Sequence, residues 1–213
     1  MPRRPVLWVY GAVAATDAAL AAGSHRRARR FTKPLLMPLL AAHVAGTEGS
    51  DGAKPLILAG LGLSWVGDVA LLAEGGGPLA VGLAAFLAAH GCYLAAFATR
   101  RHGGVRRAPV LAGAYGLSWL ALNAVLLPRT GRLRVPVLVY GTALAAMAIA
   151  ALDTGDSAVA AGGAAFLVSD GVLALDTFVG QGSAAADALV MLTYTAAQAL
   201  IATGMTAPAD GGL

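Results

Sequence analysis

The chain has 213 residues, 58% of them hydrophobic and only 12% charged, with a mean hydropathy of +0.71. A soluble domain carries about 25% charged residues to cover its water-facing surface, so most of this chain's outside must face lipid. The pI of about 9.6 reflects a formal charge of only +4, set in short basic clusters between apolar runs. Membrane spans are flanked in this way, which excludes a nucleic-acid partner and makes the bilayer the expected surroundings. One cysteine, Cys92, excludes an internal disulfide and a cysteine-built zinc site.

A transmembrane helix needs roughly 20 mostly apolar residues, and eight runs qualify, at roughly 6–22, 32–46, 55–73, 78–99, 108–127, 135–152, 157–179 and 187–206. The expected fold is all-α: one polytopic membrane domain over residues 1–213, a compact bundle of about eight transmembrane helices. The breaks between runs are too short for a soluble domain and force each helix antiparallel to the one before. No alternating strands of barrel type occur. Frequent Ala and Gly within the runs favour close helix approach. The first run follows Arg3 and Arg4 like a secretory signal, but Asp17 and seven more runs behind it favour a retained helix. In the second, Pro34 and Pro38 fall near the expected helix start, where proline is tolerated. Ser64-Trp65-Val66-Gly67-Asp68 and Phe166-Leu167-Val168-Ser169-Asp170 form a faint internal echo. Lys and Arg divide seven to eight between the two faces, so the positive-inside rule gives no orientation. The expected location is the cell membrane, and the sequence specifies no oligomeric state.

A charge at the bilayer centre costs about 2.5–3.5 kcal/mol even on a lenient scale, so ionisable residues inside spans are functional candidates. Asp17, His43, Asp68, His90, Asp170 and Asp176 lie within the runs, with Asn123, Tyr140, Tyr194 and Gln198. Asp17 and Asp176 fall close enough to the interface to be solvated. At 1.5 Å per residue, Asp68, Asp170, Tyr140, Tyr194 and His90 lie roughly 8, 13, 8, 10 and 18 Å below the face opposite the amino terminus. Asp17, Asn123 and Lys33 fall in the same half, and His43 near the other surface. Polar residues gathered in one leaflet half predict a polar cavity opening to that face.

Serine hydrolysis is poorly supported, since no G-x-S-x-G occurs. His90, Asp68 and Asp170 would just supply three metal ligands, but no zinc-site spacing accompanies them, so no metal is expected. Two carboxylates in a low-dielectric cavity divide the roles of acid and base more readily. The residues alone leave acid–base hydrolysis and proton-coupled transport both open. A non-catalytic lipid-binding protein leaves the buried carboxylates unexplained.

Six segments occur in order: Lys33-Pro34-Leu35, Ser64-x-x-Gly67-Asp68, Phe86-x-x-x-His90-x-x-Tyr93, Tyr140, Gly163 to Asp170 with Phe166, and Tyr194-x-x-x-Gln198. Together they resemble the lysoplasmalogenase family of integral membrane proteins, the bacterial YhhN type, over about residues 30–202. The resemblance implies an eight-helix ether hydrolase that needs no cofactor. Its substrate would be a lysophospholipid, a lysoplasmalogen, cleaved at the vinyl ether bond to fatty aldehyde and glycerophosphocholine or glycerophosphoethanolamine. Asp68 and Asp170 would be the catalytic acid/base pair. His90, Tyr140, Tyr194 and Gln198 would orient water or stabilise charge, and Lys33 would bind the headgroup phosphate.

Overall fold

The structure, a computed structural model, describes residues 4–47, 52–73, 76–180 and 182–207. All eight predicted runs are helical: α1 (Arg4–Ala22), α2 (Arg26–Ala45), α3 (Ala53–Ala70), α4 (Gly76–Ala98), α6 (Pro109–Leu126), α7 (Arg134–Asp153), α8 (Ser157–Phe178) and α9 (Ala184–Thr206). A one-turn helix, α5 (Gly104–Arg107), occupies the basic break before α6, and a 3₁₀ turn (Gly131–Leu133) leads into α7. No strand occurs among the described residues. The predicted breaks at 47–54, 74–77 and 180–186 fall partly outside them.

Local chemistry sets the starts of the last two helices. Asp156 Oδ1 accepts from the backbone N–H groups of Ala158 and Val159 (2.8 and 2.9 Å), and Ser183 Oγ accepts from that of Ala186 (3.0 Å). Each satisfies amide groups that have no partner within the helix. The second helix departs from expectation. It begins at Arg26, six residues before the predicted start, so Pro34 and Pro38 stand inside it. A proline without an N–H leaves the carbonyl four residues earlier without its helical donor. For Pro38 that carbonyl belongs to Pro34, and the Trp65 indole on α3 donates to it at 2.9 Å. A neighbouring helix thus replaces the missing bond, as lipid surroundings require.

The helices pack in a ring: α1 against α2, then α3, α4, α7, α8 and α9, which closes back onto α1. The closing helix also touches α2 and α3, whereas α6 lies outside the ring against α7 and α8. Large apolar side chains cover the outside: Phe31 is 78% exposed, Val110 86% and Leu117 67%. Such a surface is stable only in lipid. Seven helices, all the long ones except α2, are long and apolar enough to cross a membrane. The chain is a multi-pass membrane protein.

Candidate functional site

The Ser64-x-x-Gly67-Asp68 spacing places all three residues on one face of α3, and the structure gives each a separate task. Asp68, 1% exposed, receives Lys33 Nζ of α2 at 3.3 Å on Oδ1, and the Tyr194 hydroxyl of α9 donates to its Oδ2 at 2.7 Å. Gly67 admits the Phe86 ring of α4, which a Cβ would meet at 2.6 Å. Phe86 in turn stands edge-on to Tyr194, with ring centroids 5.9 Å apart, and so supports the tyrosine that holds Asp68. Ser64 Oγ accepts from Gln198 Nε2 at 3.0 Å, one turn beyond Tyr194, and the Tyr93 hydroxyl donates to Gln198 Oε1 at 2.6 Å.

The second carboxylate sits on α8. Asp170 Oδ2 accepts a hydrogen bond from the Tyr140 hydroxyl of α7. No cation stands within ion-pair distance of Asp170 among the described residues. Asp68 and Asp170 nevertheless lie close enough to feel each other's charge, and Asp170 also feels Lys33. His90 is fully buried between the two carboxylate systems, its ring edge-on to Tyr140 (5.1 Å) and Phe166 (4.9 Å). Neither of its nitrogens has a hydrogen-bond partner among the described residues. Buried polar groups are nearly always paired, so an unpaired imidazole packed against the tyrosine that holds Asp170 stands out among the core residues.

A cavity of about 330 Å³ opens beside this cluster. Asp170, Tyr140 and Lys33 line it; Asp68 adjoins it through Lys33, His90 through Tyr140 and Tyr194 through Phe86, and Gln198 is not among the lining residues. Its body is apolar, with Leu83, Phe86, Leu122, Leu144 and Leu167, and its mouth carries Arg26, Arg29 and Asp187. The mouth is formed by the starts of α2, α4, α7 and α9 and the end of α8, the face that the depth argument selects. A larger cavity of about 620 Å³ lies at the opposite ends of α4 and α7, around Arg101, Arg106 and Asp153. It contains none of the candidate residues, and its one acid is bound to Arg101 at 2.9 Å.

Three placements differ from the sequence reading. Asp17 is not solvated: it is fully buried, accepting from Thr32 Oγ1 at 2.5 Å and Arg29 Nε at 3.3 Å. The extra turns that start α2 at Arg26 carry Arg29 and Thr32 to it. Lys33 lines the cavity but is also paired with Asp68. Gln198 is engaged at both ends of its amide and does not reach the cavity. Asp187, at the mouth, is not among the residues that the sequence singles out.

A model of the YhhN family matches residues 28–205. The chain belongs to the YhhN family. It is also similar to lysoplasmalogenase TMEM86B of Homo sapiens, 37% identical over 156 residues that cover 71% of this chain. The same stretch spans 64% of that relative's length. No solved structure matches. The part of the chain that carries the YhhN match holds every residue of the cluster from Lys33 to Gln198, and Asp17 lies before it.

Proposed function

We propose that this YhhN protein is a membrane-embedded hydrolase that cleaves the vinyl ether bond of lysoplasmalogens, releasing a fatty aldehyde and glycerophosphocholine or glycerophosphoethanolamine. One observation carries the reading: a carboxylate with no ion-pair partner among the described residues faces a cavity that is cationic at its mouth and apolar in its body. A lysolipid has that polarity. Its phosphate suits the arginines of the mouth, and its hydrocarbon chain suits the leucine-lined body.

The two carboxyl groups divide the chemistry. Asp68 carries Lys33 and is the one that stays ionised; Asp170 faces the cavity and is the acid. Asp170 gives its proton to the outer alkenyl carbon, leaving an oxocarbenium ion that the neighbouring carboxylates stabilise, as in glycoside hydrolysis. Water adds to the ether carbon as Asp68 takes its proton. The hemiacetal then collapses: Asp170 takes back a proton from its hydroxyl, Asp68 returns one to the leaving oxygen, and both groups regain their starting states. Tyr140 borders the space where charge and water move, and His90 packs against its ring. Tyr194 and Lys33 fix Asp68, and Gln198 positions Tyr194's helix through Ser64 and Tyr93. The cycle needs no cofactor. Purified protein should release aldehyde from a 1-alkenyl lysolipid and leave the 1-acyl and 1-alkyl counterparts intact. Proton or solute movement across liposomes without aldehyde release would replace this reading with that of a carrier.

On this reading the protein lies in the cell membrane and crosses it eight times. Although α2 opens with five cations, it is a 20-residue helix packed between α1 and α3, about 30 Å long at 1.5 Å per residue. Both termini are therefore expected on one side. Thiol labelling of single cysteines at Pro2 and Gly212, both outside the described residues, should report the same side; opposite sides would mean that α2 does not cross.

A further inference from the structure

The cavity mouth carries a pair of opposite charges that the ether chemistry does not use. Arg29 and Asp187 both line the cavity, with Nη1 and Oδ2 3.9 Å apart. That is an ion-pair approach too long for a hydrogen bond. The two partners are held very differently. Arg29 is 13% exposed and anchored from behind by the fully buried Asp17, which Thr32 also holds. Asp187, in the first turn of α9, is 42% exposed, and no hydrogen bond reaches its carboxylate among the described residues. An acid in a first helical turn suits the helix dipole, but that role needs neither a cavity nor a clamped arginine opposite. A fixed cation beside an accessible anion is the mirror of a zwitterion whose phosphate and ammonium are a few ångströms apart.

We infer that Arg29 and Asp187 form a receptor for a zwitterionic headgroup, Arg29 taking the phosphate and Asp187 the alkylammonium of an ethanolamine or choline. The inference rests on the lysolipid reading of the cavity and adds its headgroup preference. The guanidinium fork matches phosphate oxygens. A headgroup of phosphoglycerol type gives Asp187 no cation and brings only a further negative charge towards it, so it binds less well.

Binding of 1-alkyl lysolipids, whose saturated ether bond does not react, tests this on the full-length protein in detergent micelles. Lysophosphoethanolamine, lysophosphocholine and lysophosphoglycerol forms are compared, with aldehyde release from 1-alkenyl lipids measured in parallel. The wild-type protein should prefer both ammonium-bearing lipids. Asp187→Asn should weaken these about tenfold, a typical effect of losing one charge-assisted contact, while leaving the phosphoglycerol lipid unchanged or tighter. Asp187→Lys should reverse the preference. Equal changes for all three headgroups, or none, would overturn the receptor. A headgroup preference that Asp187→Asn removes, in a protein releasing no aldehyde, supports the receptor and refutes the hydrolase. Aldehyde release with a headgroup preference indifferent to Asp187 does the reverse.

Discussion

Asp170→Asn is expected to leave the bundle folded while cutting aldehyde release by at least about 10², the low end of what general acid–base catalysis contributes. The substitution keeps the side chain's volume, and the amide oxygen still accepts from Tyr140, the one hydrogen bond this carboxylate has among the described residues. No cation loses its partner, because none is paired with Asp170 among the described residues. What disappears is the proton that faces the cavity. The loss should appear in kcat, with little change in KM, because the proton acts in the transition state rather than in binding. The thermal midpoint in micelles should stay near that of the wild-type protein. Adding Asp68→Asn should lower the rate little further, since the two groups act as a unit. A folded Asp170→Asn protein with full activity would refute the mechanism.

Lys33→Met is expected to have the largest effect on stability. Asp68 is 1% exposed and its ammonium partner 12%, so removing the lysine leaves a carboxylate buried without its counter-charge. Breaking a buried pair from one side costs about 3–5 kcal/mol, whereas replacing both partners is often close to neutral. Asp68→Asn in the Lys33→Met background should therefore recover most of the loss, so the double mutant is less destabilised than the sum of the single substitutions and the coupling is opposite in sign to the loss. Unfolding midpoints of the four proteins in micelles measure this directly. If Lys33 served the headgroup alone, Lys33→Met would raise KM and leave the midpoint unchanged, and the two substitutions would add.

The gathering of polar residues was legible because helical rise is independent of packing. Counting 1.5 Å per residue from the helix end at the far face puts Asp68, Asp170, Tyr140 and Tyr194 at similar depths, whichever helices turn out to be neighbours. Helix existence was legible for a similar reason, since apolar run length decides it in lipid. The arrangement of neighbours was not. Nothing in the run lengths says that α6 stands outside the ring or that α7 lies against α4. The start of α2 was hidden because four arginines read as an interfacial break, although they form its first two turns. That extension carries Arg29 and Thr32 onto Asp17, so the burial of Asp17 was hidden with it. For Lys33, sequence gave the depth and the charge; only the packing of α2 on α3 reveals its pairing with Asp68. Ser64, Gly67, Phe86 and Tyr93 were visible as motif letters, but their tasks as braces for Tyr194 and Gln198 depend on which ring meets which backbone.

The central claim is that a carboxylic acid protonates carbon in a vinyl ether, and the place where solvent hydrogen ends up tests it. Purified protein and a 1-alkenyl lysolipid are incubated in D₂O, the aldehyde is reduced at once to the alcohol to prevent exchange, and the product is read by mass spectrometry. Protonation at the outer alkenyl carbon predicts one deuterium on the carbon next to the former aldehyde, with the signal falling by about 10² or more in Asp170→Asn. Aldehyde without that deuterium, or no aldehyde from wild-type protein that is folded and binds the lipid, would contradict the account.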